Sequence, residues 1–335
     1  MRVRVGIKAI VLFLAALAVA LTFSACSSAN RPVYEPIPPS EGRTLQHEMG
    51  ETVVPRTPER VVVLGSIIDA LALGVEPVGA AYWSPSRPNR EELAPVFSDR
   101  TAGITVLGHA RQPSLERIVK LQPDLILDEK GGGDFYSYLS QIAPTVVVDF
   151  TLVADVWKED VLRVATALGK PDEAQALIQQ YEQRIAQFQE VMGARLDTTV
   201  VSVARFGFGQ VRSFQTNSFS GAVLAEVGLP RPESQQRKKT FEIISLENLA
   251  SLDGDVLFFM QNNPEKSILT ELQGNTLWSQ LGVVQRGQVH EVSLDVWFLN
   301  AGIISAHMIL NDLFRTLVPD SEQYVIHQVG ELPLP

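Results

Sequence analysis

From Arg60 onward, short apolar runs alternate with amphipathic stretches, and this alternation predicts most of the fold. Arg60–Leu64 reads as a strand, Ser66–Leu73 as a helix closed by Gly74, and Pro77–Ala81 as a second strand; the pattern runs on to Val146–Asp149. After a break it resumes at Thr198–Ala204 and continues through Gly221–Val227, Val289–Val292 and a last helix near Ala301–Leu317. Strand and helix signals in alternation predict an α/β chain with mostly parallel pairing. Between the two runs, apolar residues fall at Ala174, Leu177, Ile178, Tyr181, Ile185, Phe188 and Met192, the stripe of one long helix. Pro171 suits its first position, Asp172 and Glu173 its first turn, and Gly193 its end. At about 1.5 Å per residue it would span about 33 Å, enough to link two lobes. A peripheral helix of one lobe would show the same stripe; the position at the chain's midpoint favours a connector.

A long-range repeat strengthens the two-lobe reading. SLERIVKLQPDLIL at Ser114–Leu127 returns 131 residues later as SLENLASLDGDVLF at Ser245–Phe258, identical at five of fourteen positions. Each copy reads as a short amphipathic helix, a Pro or Gly turn with Asp, and an apolar strand. One repeat at so long a spacing marks two similar lobes rather than a solenoid. Each copy also places a carboxylate, Glu116 or Glu247, at the start of its helix. A lone glutamate there needs no more explanation than the helix macrodipole. Two at matched places suggest a docking face.

Toward the N-terminus the pattern changes. Arg2, Arg4 and Lys8 precede an apolar run from Ala9 to Phe23, followed by Ser24-Ala25-Cys26. That is a basic segment, an apolar segment and small residues at a cleavage point, as in a signal peptide. Phe23–Cys26 resembles a bacterial lipobox, in which the cysteine is lipidated; ordinary secretion with an incidental cysteine is the alternative. Cys26 is the single cysteine of the 335 residues, so no intramolecular disulfide can form. Ser27–Gly42, with Pro32, Pro36, Pro38 and Pro39, has no apolar period and reads as an extended tether. Thr44–Met49 and Glu51–Val54 flank Gly50 as a hairpin.

The composition is globular, 45% hydrophobic and 20% charged, with a net charge of −10. Cleavage after residue 25 would leave 25 basic against 38 acidic side chains, a net −13. Nucleic acid has no electrostatic footing on such a chain. A small anionic ligand still does, because local arginines outweigh the total.

The stretches TLQHEMGETVVPRTPERVVVLG, the two SLE segments, SFSGAVLAEVGL and LWSQLGVVQRGQVHEV occur in this order. In them the chain, from about Thr44 to Leu317, resembles the substrate-binding proteins of ABC importers for iron–siderophore complexes. The resemblance implies two Rossmann-like α/β lobes with central, mostly parallel sheets, joined by one long connector helix, with a ligand cleft between them. The expected boundaries are a signal peptide at 1–25, a tether at 26–43, a first lobe at 44–168, the connector at 169–194 and a second lobe at 195–335. It further implies that Glu116 and Glu247 engage arginine pockets on the two copies of a permease, served by its ATPase, while the carrier itself is a monomer. Vitamin B12 and haem carriers share this fold, so a corrinoid or haem remains a second reading. An extracytoplasmic enzyme on the same scaffold is a third.

A ferric siderophore brings its own oxygen ligands, so the expectation is an Fe(III) complex as cargo, no directly bound cofactor and no metal ligand from the protein. Recognition then falls to aromatic surface and charge-assisted donors at strand ends. The candidates are Tyr82, Trp83, Arg87, Arg111 and Lys130 in the first lobe, and Arg205, Arg212, Trp297 and Phe298 in the second. Phe206, Phe208 and Phe298 could as well be core, and Arg87, Arg111 and Lys130 solvated charges. By the resemblance, Arg205 and Arg212 fall where ligand-binding arginines are common. Several arginines in an acidic protein would suit a carboxylate-bearing chelate. Gly207-x-Gly209 lacks the third glycine of a dinucleotide fingerprint, since Arg212 stands there. There is no phosphate loop, no nucleophile elbow and no HExxH, and the five histidines are scattered.

Overall fold

The computed structural model describes residues 34, 37–38, 40–65, 67–82, 98–129, 135–148, 156–261 and 268–326. Cys26, Trp83, Arg87 and Lys130 lie outside them. The strands are β1 (Gly42–His47), β2 (Gly50–Pro55), β3 (Val61–Leu64), β4 (Gly79–Tyr82), β5 (Thr105–His109), β6 (Gln112–Pro113), β7 (Leu125–Glu129) and β8 (Thr145–Val148) in the first half. In the second half they are β9 (Val201–Gly207), β10 (Gln210–Phe214), β11 (Phe241–Ile244), β12 (Val256–Gln261) and β13 (Val289–Glu291). β1 and β2 form the expected hairpin, in register Arg43↔Val54.

The remaining strands build two sheets, ordered β6-β5-β4-β3-β7-β8 and β11-β10-β9-β12-β13. Leaving aside the short edge strand β6, both sheets run third, second, first, fourth, fifth in chain order. Each half begins at its central strand and reverses direction of growth beside it. The two repeat copies take equivalent places: each supplies the fourth strand, β7 or β12, paired in parallel with the first strand, β3 or β9. The sheets are not identical in sense. β3, β4, β5, β7 and β8 are parallel throughout, whereas β10 runs antiparallel to both of its neighbours. The reversal is a two-residue hairpin turn, Phe208-Gly209, with positive φ at both residues (55° and 67°). Two such residues in series are the primed turn that matches strand twist.

The helix Pro171–Met192 stands between the halves, 22 residues long, and buries the predicted seven-residue stripe. It packs on Trp157–Leu168 from the first half and on Phe219–Val227 and Ile303–Leu317 from the second. Ile303–Leu317 also packs on Ile67–Ala72, from the first half. As a result one apolar cluster runs from Val61, Val63 and Leu127 through the stripe to Val201, Val203 and Phe258. Alternate residues, Val62, Leu64 and Ile126 on one sheet and Ala204, Phe206 and Leu257 on the other, face two smaller outer clusters. Sheets covered on both faces in this way read as continuous apolar runs.

The repeat copies differ locally. Leu115–Leu121 is α-helical, with the Ser114 hydroxyl accepting from the Arg117 amide. Leu246–Leu252 is instead a 3-10 helix, kinked at Asn248. There the Ser245 hydroxyl bonds the side chains of Glu247 and Asn248 rather than capping the backbone.

One buried contact closes the seam between the halves. Asp69, 1% exposed, meets the backbone amide of Ile303 at the start of the last helix. A Cβ on Gly302 would overlap Asp69 Oδ1, so glycine is required for this approach. Burial, opposed in part by the Ile303 amide and reinforced by the Asp160 charge, raises the Asp69 carboxyl to about 8.

Candidate functional site

Two clusters of the expected residues lie near the carboxyl ends of parallel strands, where open α/β sheets bind ligands. In the first half, Tyr82 ends β4 and His109 ends β5, and the two are paired in register. Their rings meet edge to face at 5.7 Å. Arg111 follows, exposed, with its backbone amide donating to His109 Nδ1 at 3.1 Å. Tyr82 is half-buried. Tyr82 and Arg111 are thus brought together, with His109 between them.

In the second half, Arg205 on β9 and Arg212 on β10 are directly opposed across the hairpin. Arg205 is only 3% exposed, with its guanidinium 5.5 Å from the Phe208 ring and 5.7 Å from the Phe298 ring. Burial, and after it the neighbouring Arg212 charge, lower its pKa to about 10, so it stays cationic at neutral pH. Arg212 lies over the Phe241 ring at 4.7 Å, and its buried Nε has no hydrogen-bond partner among the described residues. Phe214 ties the rings together, 5.0 Å from Phe298 and 6.0 Å from Phe241. The result is two like charges side by side in an aromatic cradle. Like charges directly opposite each other on neighbouring strands repel, and the Phe208, Phe298 and Phe241 rings offset part of that cost.

Trp297 corrects an expectation. Read from sequence as an indole on a loop facing ligand, it is fully buried in a π-helical turn, Asp295–Leu299. Its Nε1–H donates to Asp312 Oδ2 at 2.8 Å, and its ring packs on Phe258 at 4.8 Å. It supports the wall and offers no surface. Phe298, 9% exposed, sits beside Arg205 as described. Phe206 is core, whereas Phe208, which also read as core, is 61% exposed at the tip of the turn. A bulky side chain at positive φ is a backbone outlier, costing roughly 1–2 kcal/mol. Gly207 and Gly209 on either side of it were the available signal. Phe241 and His109 carried none.

Phe298 lies four residues before Gly302, and Asp69 five residues past the end of β3. The Asp69–Ile303 contact therefore ties the carboxyl end of the first sheet to the segment carrying Phe298. Glu116 and Glu247 both stand exposed on their repeat copies. Glu116 pairs with Lys120 at 2.7 Å. Glu247 is held below the usual carboxylate range by the Ser245 hydroxyl and its own backbone amide. Among the described residues no group of three or more His, Cys, Asp or Glu is placed to hold a metal ion, and no helix is long and apolar enough to cross a membrane.

Comparison with known proteins agrees with this architecture. The model of the family described as periplasmic binding protein matches residues 62–293. The probable siderophore-binding lipoprotein YfiY of Bacillus subtilis is 32% identical over 309 residues, covering 88% of this chain and 93% of the relative. The Fe(3+)-citrate-binding protein YfmC of the same organism is 29% identical over 282 residues, covering 82% and 86%. Among solved structures, Staphylococcus aureus SirA complexed with staphyloferrin B superimposes with a TM-score of 0.69 at 28% identity, covering 83% of this chain and 99% of that one.

Proposed function

The chain belongs to the periplasmic binding protein family, and from that premise we propose that it is a lipid-anchored carrier of the cell envelope. It captures a ferric siderophore and delivers it to an ABC import permease. The lobes are residues 44–168 and 195–335, either side of the helix at 169–194, and the cargo is held where their strand ends converge. Cys26 carries the lipid, and Glu116 and Glu247 contact the permease. The iron arrives inside its chelator and nothing is chemically transformed.

The observation that carries the reading is the Arg205–Arg212 pair. Two adjacent guanidiniums in an aromatic setting, with the Arg212 Nε lacking a hydrogen-bond partner among the described residues, suit a carboxylate-bearing chelate. The Phe208 and Phe298 rings beside Arg205 supply flat apolar surface for its organic shell. The name of YfmC, an Fe(3+)-citrate-binding protein, is consistent with a carboxylate-bearing class, and Tyr82 and Arg111 complete the grip from the first lobe.

The test is calorimetric titration of the purified protein with ferric citrate, a ferric hydroxamate and a ferric tris-catecholate. Ferric citrate or a related carboxylate complex should bind, and Arg212→Ala should weaken it by about 2 kcal/mol, near thirtyfold. The same substitution should leave thermal stability unchanged or raised, since it relieves the repulsion with Arg205. Unchanged affinity in the variant, or binding of haem or cobalamin in place of every ferric chelate, would overturn the proposal.

A further inference from the structure

The two docking carboxylates stand at equivalent places in the repeat but in opposite electrostatic settings. Aligning the copies sets Arg117 against Asn248 and Lys120 against Ser251. The first copy holds two basic and two acidic side chains, the second three acidic and no basic ones. In the first, Lys120 Nζ reaches Glu116 Oε1 at 2.7 Å, one helical turn away, with both side chains more than two-thirds exposed. Arg117 is turned aside, its Nη1 donating to the Val106 carbonyl at 2.7 Å.

In the second copy the partners of Glu247 are Ser245 and its own backbone amide. Arg237 lines the same hollow as Glu247, but Glu242 holds its guanidinium through both oxygens, at 2.9 and 2.8 Å. Glu242 also takes Lys239, at 2.8 Å. The basic side chains of that rim are thus already matched by another carboxylate. Glu247 can offer its full charge to a partner, while Glu116 must first give up Lys120.

Resting on the docking reading above, we propose that Lys120 is an intramolecular competitor for Glu116. The protein therefore docks on a cationic, two-fold partner unequally, with the Glu247 end supplying most of the attraction. A pseudo-symmetric carrier on a symmetric partner has two equivalent ways to sit. Unequal ends divide the encounter into an early contact by the second lobe and a later, weaker one by the first. Charge complementarity of this kind acts chiefly on encounter and orientation.

The experiment replaces the chromosomal copy with Glu116→Gln, Glu247→Gln, Lys120→Ser and the Lys120→Ser/Glu116→Gln double variant. Uptake of radiolabelled ferric citrate, or of whichever ferric chelate the titration identifies, is measured against its concentration. Binding of the same chelate by each purified variant serves as a control that a merely structural defect would move. E247Q is expected to cost about tenfold in uptake efficiency and E116Q about two- to threefold, both with chelate affinity unchanged. K120S should improve uptake about twofold, the strength of an exposed pair one turn apart, and should make uptake more sensitive to E116Q. Equal losses in E116Q and E247Q, with K120S changing neither, would refute the competitor and leave docking intact. No loss in either glutamate variant would remove the docking reading itself.

Discussion

Asp69 gives the protein a stability profile opposite to the one carboxylates usually confer. In the unfolded chain its carboxyl ionises near 3.8; in the folded protein it holds its proton up to about 8. Between those values the folded state binds the extra proton, so stability rises as the pH falls from 8 toward 4 and is lost as it climbs back. At about 1.4 kcal/mol per unit the full penalty above pH 8 is on the order of 5 kcal/mol. Asn in this place cannot ionise and keeps an oxygen for the Ile303 amide. The stability of Asp69→Asn relative to wild type should therefore be about 4 kcal/mol greater at pH 8.5 than at pH 5. Urea titration followed by tryptophan fluorescence would measure it, since Trp157, Trp278 and Trp297 are all buried and report on unfolding. A difference between variant and wild type that stays flat from pH 5 to 8.5 would show that Asp69 is ionised in the folded state, and the argument would fail.

His307 works in the other direction. Burial and then the Arg184 charge lower its pKa to about 3, so the folded protein refuses a proton that the unfolded chain accepts below about 6.5. Stability should fall as the pH drops through 6.5, by about 2 kcal/mol between pH 7 and 5. His307→Gln should remove most of that loss in thermal melts at the two pH values, and equal losses in both proteins would contradict it. Trp157→Phe deletes the 3.3 Å bond from Trp157 Nε1 to Glu226, which joins the helix before the connector to one beyond it. The cost should be about 1 kcal/mol in denaturant unfolding, and no change would mean the bond is replaced by water.

The sequence made some features plain and hid others for physical reasons. The connector was legible to the residue because one helical period persists over 22 positions with Pro and Gly at its ends. The repeat exposed the two-lobe plan, because equivalent helices and strands meet equivalent neighbours. The strand order could not be read, since it depends on which edges meet in space. The reversed β10 was signalled by Gly207-Phe208-Gly209, but glycines spaced by one are compatible with a phosphate turn or a hairpin alike. Arg205, expected just after a strand, and Arg212 were singled out by the family resemblance, yet their opposition emerges only from the hairpin register. Trp297 misled because a long side chain between elements can turn inward when a half-buried acid such as Asp312 receives its N–H.

The packing of Ile303–Leu317 against Ile67–Ala72 has a consequence for biogenesis. Ribosomes and export channels release the polypeptide from its amino end, yet the earliest half needs the closing segment to cover its apolar flank. Until that segment emerges, the nascent chain has no finished surface on which to settle. A protein of the cell envelope gains from this delay, because completion of its fold is deferred until the whole chain is present.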